Sequence, residues 1–191
     1  MKQKPRLTPS QTVGPFFHPT LLRADSHVDD LLPAGYPGTP IVIHGYVYDG
    51  ASEPVPDAAI EIWQADEEGE YLTGELFEQI SRGSEFTGYG RVGTDDTGRF
   101  QIRTVKPGPV PFDNSRHQAP HICVTVYARG LLNHIVTRIY FEGDPLNDED
   151  PILQRVPDHR RETLIATRTQ DGTYRFDIVL QGERETVFFN V

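Results

Sequence analysis

The chain has 191 residues, of which 37% are hydrophobic and 24% are charged, and its formal net charge is −10. This length suits a single domain with a proper hydrophobic core. The acidic balance argues against a nucleic-acid-binding surface, and any acidic ligand would need local Arg or Lys residues to offset the repulsion. No apolar run approaches about 18 residues, so no membrane-spanning helix is expected.

Two features bear on cellular location. The N-terminal residues MKQKPRLTPSQ include basic residues, but the apolar stretch of a secretory signal does not follow them. Cys123 is the single cysteine of the sequence, so an intrachain disulfide cannot form. Together these features predict a cytoplasmic protein.

The first 40 residues predict an extended arm. The segment TPSQTVGPFFHP (8–19) has the Pro and Gly breakers of a loop or arm and not the pattern of a helix, and ADSHVDDLLPAGYPGTP (24–40) is turn-like. An arm of this length needs a surface to lie against. We therefore place an arm at residues 1–40 and a folded domain at residues 41–191.

The body of the chain shows β-strand patterns. IVIHGYVYDG (41–50) is a β-branched and aromatic run that ends at a turn signal, Asp49-Gly50. In AAIEIWQADEEGEY (58–71) the side chains alternate, with Ile60, Ile62 and Gln64 on one side. Further strand candidates are TGRFQIRTV (97–105), HICVTVYARG (121–130), HIVTRIYFEG (134–143), DGTYRFDIVLQG (171–182) and ETVFFNV (185–191).

These patterns predict an all-β sandwich or barrel of roughly eight strands. One segment, DHRRETLIATRTQ (158–170), predicts a short helix that runs into a strand, and no long helical periodicity or internal repeat is present. Residues 67–90 are the longest candidate loop of the body, and long loops in compact domains are often functional.

Five segments together carry a family resemblance. In chain order they are Glu61–Asp66 followed by Gly69–Tyr71, Lys106–Pro109, Ala119–Cys123, Arg138–Asp144 and Tyr174–Ile178. With this order and spacing the chain resembles the intradiol ring-cleavage dioxygenases over nearly its whole length. The resemblance implies an immunoglobulin-like or transthyretin-like β-sandwich. It also implies a non-haem ferric enzyme, in which O₂ attacks a catechol between its two hydroxyls.

The resemblance also locates four iron-ligand positions. Catalytic chains of the family hold iron with two tyrosines and with two histidines arranged as His-x-His, a spacing that puts both rings on one face of a strand. In this chain the four positions hold Tyr71, Val110, His121 and Cys123. Valine cannot ligate, and a cysteine thiolate is a soft ligand where hard ones are expected. No metal is therefore expected in this chain, and the four positions are vestigial.

The loss of two ligands resembles the heteromeric members of the family, in which an iron-bearing beta subunit pairs with an alpha chain that has lost its iron. This resemblance implies that Fe(III) is carried by a homologous beta partner and that this chain alone is inactive. Thr12, Gly14 and Pro15 match the part of an alpha chain that lines the substrate pocket above the partner's iron. Arg129 matches an arginine near the same pocket, where it can hold a substrate carboxylate. Eight residues of strand span about 26 Å, so Arg129 and His121 cannot serve one site within this chain.

Simpler interpretations of these residues stay open. Arg129 can form a surface or interface ion pair, Tyr71 can be a packed loop aromatic, and His121 and Cys123 can be ordinary buried residues of a strand. Two alternatives concern the whole protein. One is a self-sufficient dioxygenase that binds iron through Tyr71, His121, Cys123 and water. The other is a non-catalytic β-sandwich binding module, because a fold alone does not settle function.

Overall fold

The computed structural model describes residues 17–36, 38–72 and 86–190, with side chains from residue 19 onward. Its elements are mostly strands, and the predicted all-β class is confirmed. The strands are β1 (Pro40–Tyr48), β2 (Ala59–Gln64), β3 (Tyr89–Gly93), β4 (Arg99–Val105), β5 (Val110–Pro111), β6 (His117–Gln118), β7 (His121–Tyr127), β8 (Ile135–Phe141), β9 (Ile165–Arg168), β10 (Tyr174–Arg175) and β11 (Ile178–Val179). The helices are α1 (Phe17–Leu21) and α2 (Asp158–Arg161), with 3-10 turns at Pro145–Asp148, Leu153–Arg155 and Glu162–Leu164.

Nine of these strands belong to one sheet. Its hydrogen-bonded order is β3-β2-β7-β8-β9-β10-β1-β11, and β4 pairs with β1 in an antiparallel ladder. β1 runs parallel to both β10 and β11, and β8 runs parallel to β9. β5 and β6 form a separate antiparallel pair. Across the described ranges, no helix has the length and apolar character needed to cross a membrane.

The main core lies on one face of β2, β7 and β8. Along β7, Ile122, Val124 and Val126 are fully buried while the residues between them point to the other face. The alternation predicted for β2 is confirmed, since Ile60, Ile62 and Gln64 are all buried. Burying a side chain of this size typically contributes about 1.5–3 kcal/mol. β1 and β4 add Ile43, Val47, Phe100 and Ile102 to the same core.

A smaller core lies on the other face of β7 and β8. It is made of Ala119, Tyr140, Leu153, Val156 and Leu164, all of them buried. Leu153 and Leu164 come from 3-10 turns and Val156 directly follows one of these turns, while Leu146 packs against the cluster, so the segment from residue 145 to residue 164 packs over that face. The predicted short helix that leads into a strand is confirmed here, as α2 followed by β9.

Part of the predicted arm is tied to the body. Val28 and Arg91 exchange backbone hydrogen bonds of 2.8 and 3.0 Å, and Leu31 N donates to Arg103 O at 2.9 Å. The side chain of Leu31 belongs to the main core. These contacts fix residues 28–31 against β3 and β4, and the division at residue 40 stays a prediction.

Helix α1 corrects the expectation that residues 8–19 contain no helix, because residues 17–21 form one helical turn. Pro19 is the third residue of α1, where its missing N–H removes no hydrogen bond, since the first four N–H groups of a helix have no partner within it.

Strand β3 was not predicted, and it begins at the end of the expected loop at residues 67–90. Gly90 weakens the strand pattern of the sequence. A Cβ at this position would lie 2.8 Å from Leu31 Cδ1 and 3.1 Å from Val28 O, so a larger residue would require the Leu31 side chain to shift.

The expected C-terminal strand at residues 185–191 is wrong over the described residues. A single bridge joins Phe189 to Val136. Side chains take the place of a regular ladder, because the Thr137 hydroxyl donates to Val187 O at 2.7 Å and Val187 N donates to Thr163 Oγ1 at 3.2 Å. The region 171–182 is likewise not one strand but the two short strands β10 and β11.

The smaller core gives a matched test of packing. Leu164 is completely buried, whereas Leu132 is 65% exposed. We expect Leu164→Ala to lower the free energy of unfolding by about 2–5 kcal/mol, because it leaves a cavity, and Leu132→Ala to change it by less than about 0.5 kcal/mol. Urea unfolding of both variants checks this, and an equal effect of the two substitutions would contradict the assigned core.

Candidate functional site

The two predicted ligand positions on β7, His121 and Cys123, lie on the face that turns away from the main core. His121 is paired in register with Tyr140 of β8, and Cys123 is paired with Arg138 on one side and with Trp63 of β2 on the other. Because side chains alternate along a strand, these residues share one face of the sheet. The sequence prediction that positions 121 and 123 share a face is therefore confirmed.

Tyr71 reaches this face from the segment that follows β2. Its ring stacks on Trp63, with 6.0 Å between ring centroids and 11° between ring planes. Burial raises the pKa of Tyr71, and the neighbouring Cys123 raises it further. The phenol is therefore protonated at neutral pH in this structure, and the stacking fixes the plane of its ring.

His121 is buried, with 1% of its surface exposed. Its Nδ1 lies 2.8 Å from Ala119 O, which can only accept, so Nδ1 carries the proton. Burial lowers the pKa of His121 to about 4, and the positive charge of Arg138 acts in the same direction. The imidazole is therefore neutral at physiological pH.

Val110 and Cys123 occupy the other two positions. Val110 is buried in β5, where it pairs with Gln118 of β6 and offers no donor atom. Cys123 is half-buried, and burial raises the pKa of its thiol, so the thiolate that would bind a metal is disfavoured. Residues 17–36, 38–72 and 86–190 contain no group of three or more His, Cys, Asp or Glu side chains that could hold a metal ion.

Arg138 places a positive charge among these neutral groups. Its Nη1 donates to Gln118 Oε1 at 2.8 Å and to the Tyr140 hydroxyl at 3.4 Å, and its guanidinium lies 5.9 Å from the centroid of the Phe189 ring. A ferric ion here would meet a neighbouring cation and would lack two of its four protein ligands. By donor chemistry, the residues present do not fit a ferric centre.

Asp150 supports this arrangement from behind and was not anticipated from the sequence. Its carboxylate is completely buried and accepts hydrogen bonds from three backbone N–H groups, of Ala119, Ile152 and Leu153, at 2.6–2.8 Å, and from the Tyr140 hydroxyl at 3.2 Å. It thereby joins the segment before β7 to the 3-10 turn that follows it. The sequence signal is an Asp two and three residues before the N–H groups that it caps, which is a common turn pattern.

Arg129 lies beyond the end of β7, whereas His121 begins that strand, so the structure does not bring the two together. The side chain of Arg129 is 61% exposed and forms an ion pair with Asp57. A surface ion pair was the simpler interpretation of Arg129 in the sequence. The ion pair does not test the role of Arg129 in a partner's pocket. Thr12, Gly14 and Pro15 lie outside the described residues.

Comparisons with known proteins identify the family of the chain. A family model described as "Dioxygenase" matches residues 13–182. The chain therefore belongs to the intradiol dioxygenase family, whose members are oxidoreductases.

The similarity extends to particular subunits. The chain is 41% identical to the protocatechuate 3,4-dioxygenase alpha chain of Burkholderia cepacia, covering 96% of this chain and 97% of that one. It is 33% identical to the beta chain from the same organism, covering 93% of this chain and 77% of that one. Among solved structures, the dioxygenase domain of a dioxygenase and carbohydrate-binding fusion from Streptomyces sp. SirexAA-E matches with a TM-score of 0.62 and 28% identity, covering 94% of this chain and 99% of that one.

The lowered pKa of His121 makes stability depend on pH. In the unfolded chain a histidine takes up its proton near pH 6.5, whereas in the folded chain His121 does so near pH 4. The unfolded state therefore binds more protons between these values, and the contribution is present above pH 6.5 and lost as the pH falls toward 4. Between pH 7 and 5 this amounts to about 2 kcal/mol.

We expect His121→Gln to lose less stability than the parent chain over this pH range, by about the same 2 kcal/mol. The exposed His159 provides the control, because His159→Gln should follow the parent chain. Urea unfolding at several pH values makes the comparison. Parallel pH profiles for the parent and His121→Gln would contradict a neutral buried imidazole.

Proposed function

We propose that this chain is the alpha-type subunit of a protocatechuate 3,4-dioxygenase. In this proposal it completes the substrate pocket of a homologous beta subunit that carries the Fe(III). The observation that carries the proposal is the replacement of two ligand positions by Val110 and Cys123, in a chain that matches an alpha chain over 96% of its own length. The proposed reaction is the O₂-dependent intradiol cleavage of protocatechuate to 3-carboxy-cis,cis-muconate, within the beta-ketoadipate pathway of aromatic degradation.

The proposal includes the architecture of the complex. Residues 41–191 form an immunoglobulin-like or transthyretin-like β-sandwich, which is supported by one buried core that β1, β2, β4, β7 and β8 share. Residues 1–40 act as an arm against the beta subunit. The assembly consists of alpha–beta protomers, acts in the cytoplasm and requires no nucleic acid or membrane.

Within the arm, three residues are assigned to the shared pocket. The Thr12 hydroxyl donates to the substrate carboxylate. Gly14 allows the backbone to approach the ligand closely, and Pro15 fixes the local turn. When bound in the beta subunit, the ferric ion activates the catechol ring toward O₂, while the residues of this chain bind and orient the carboxylate end of the substrate.

Arg129 is the fourth residue assigned to the shared pocket. Its guanidinium has five N–H donors, so the ion pair with Asp57 leaves donors for a second carboxylate. With the Arg129 side chain 61% exposed, an ion pair of this kind contributes at most about 1 kcal/mol. A substrate carboxylate can therefore share the guanidinium with Asp57 or replace it at little cost.

Co-expression tests the division of labour between the two subunits. The chain is purified alone and together with a beta chain that has both tyrosines and His-x-His, and iron content and protocatechuate cleavage are measured in both preparations. We expect iron and ring cleavage only in the complex. Stoichiometric iron and full activity in the isolated chain would favour the self-sufficient dioxygenase, and failure to associate with any iron-bearing homologue would favour the binding module.

Arg129→Ala tests the shared pocket, and Asp57→Asn serves as its matched control. Losing one charge-assisted hydrogen bond, about 1.5 kcal/mol or more, should raise KM for protocatechuate in the complex by about tenfold or more with iron content unchanged. Asp57→Asn removes the ion pair but keeps the guanidinium, so KM should stay close to that of the parent. Equal effects of the two substitutions, or an equal loss with catechol, which has no carboxylate, would assign Arg129 a structural role only.

A further inference from the structure

A pocket opens on the outer face of β8, beside the vestigial position Cys123. Its volume is about 470 Å³, and its walls come from β8, from residues 152–157 and from the C-terminal segment 187–190. The walls are mainly apolar and consist of Val136, Ile152, Val156, Pro157, Val187 and Phe189. The charged side chains that line it are two arginines, Arg138 and Arg155.

Arg138 has no carboxylate in direct contact among the described residues, although the Tyr140 hydroxyl lies between it and the buried Asp150. The side chain is only partly exposed, yet Nη1 is its one nitrogen with hydrogen-bond partners in the described part of the chain, and both partners are uncharged groups, the Gln118 amide and the Tyr140 hydroxyl. No carboxylate among the described residues lies within ion-pair distance of it. Asp150 stabilises this charge without touching it, and the remaining N–H groups of the guanidinium suit a planar anion.

Asp150 is a carboxylate that acts on Arg138 electrostatically, but its oxygens already accept hydrogen bonds from other groups. Its oxygens accept the four hydrogen bonds described above, three of them from backbone N–H groups. Moving it toward Arg138 would leave those buried donors without partners, at about 1–3 kcal/mol each. The anion that Arg138 can accept must therefore come from outside this part of the chain.

Arg155 adds a second cation at the rim of the pocket. Its side chain is exposed and makes no ion pair or hydrogen bond with the described residues. The Phe189 ring, over which the Arg138 guanidinium lies, provides a flat apolar surface next to the charge. A ligand that suits both features has a compact apolar body and one carboxylate.

We propose that this pocket binds a small monocyclic aromatic carboxylate, with Arg138 receiving the carboxylate and the ring lying between Phe189 and the residues of the 152–157 segment. A ring buries apolar surface with few rotatable bonds to immobilise, which favours it over a flexible chain of similar size. Binding here needs no metal and is independent of the pocket assigned to Thr12, Gly14, Pro15 and Arg129. Ligand binding at this pocket does not depend on which chain carries the iron.

Benzoate is the probe for this site, titrated into the purified full chain without a partner and followed by calorimetry and by ligand-observed NMR. Benzamide has the same ring without the charge, and acetate has the charge without the ring. We expect saturable binding of one benzoate per chain. Binding of benzamide and of acetate should each be weaker by about tenfold or more, because each lacks one of the two interactions.

Variants locate the bound probe. Arg138→Gln should weaken benzoate by about tenfold or more, while Arg138→Lys, which keeps the charge, should retain part of the affinity. Val136→Phe should block the pocket without touching the charge, and it covers the case in which Arg138→Gln does not fold. Arg103→Gln, at an exposed arginine paired with Asp30, and Arg129→Ala should leave benzoate binding unchanged.

The outcomes separate this site from the proposed catalytic role. Benzoate binding that survives both Arg138→Gln and Val136→Phe, or that benzamide matches, would overturn the proposal, as would the absence of saturable binding. Loss of binding in Arg129→Ala with retention in Arg138→Gln would assign the ligand to the other pocket. The benzoate titration uses neither iron nor turnover. A failed co-expression experiment therefore does not affect the titration result, and a failed titration does not affect the co-expression result.

Discussion

The two-residue period of side chains along β7 links the core of this protein to its candidate site. Ile122, Val124 and Val126 point inward and are fully buried, so the register of β7 against its neighbours cannot slip by one residue without turning them toward the opposite face. The same register fixes His121 and Cys123 on that opposite face. The packing of the core therefore also fixes where His121 and Cys123 lie.

Charge decides what this face of the sheet can hold. Burial keeps the Tyr71 phenol and the Cys123 thiol protonated and the His121 imidazole neutral, so none of the three supplies a negative charge at neutral pH. Two charges lie near them, the guanidinium of Arg138 and the buried carboxylate of Asp150, whose oxygens are occupied by the Tyr140 hydroxyl and by backbone N–H groups. The charged side chains that line the adjacent pocket are Arg138 and Arg155, so the pocket disfavours a metal cation and suits an anion.

Features that depend on the residues of a single strand could be predicted from the sequence. The alternation in β2 and the shared face of positions 121 and 123 could both be predicted from short local patterns, whereas Val110 and Cys123 are assigned to ligand positions through the family resemblance. The pocket beside Cys123 could not, because it combines Arg138 with residues from a 3-10 turn and from the C-terminal segment. No periodicity relates such distant segments. The prediction of a C-terminal strand was wrong because it also depended on distant residues. The β-branched pattern is present, but the hydroxyls of Thr137 and Thr163 bond to Val187 where a ladder would use backbone groups.

The two arginines assigned to ligands differ in the cost of their unliganded states. Arg129 is exposed and has Asp57 as a partner, so solvent and an ion pair already satisfy it, and a substrate carboxylate gains only the difference between the two partners. Arg138 is partly buried, its direct partners are neutral acceptors, and Asp150 acts on it only from beyond the Tyr140 hydroxyl, so an incoming carboxylate is its first direct ion-pair partner. An arginine of the first kind suits a substrate that must bind and leave during turnover. An arginine of the second kind suits a ligand that stays bound.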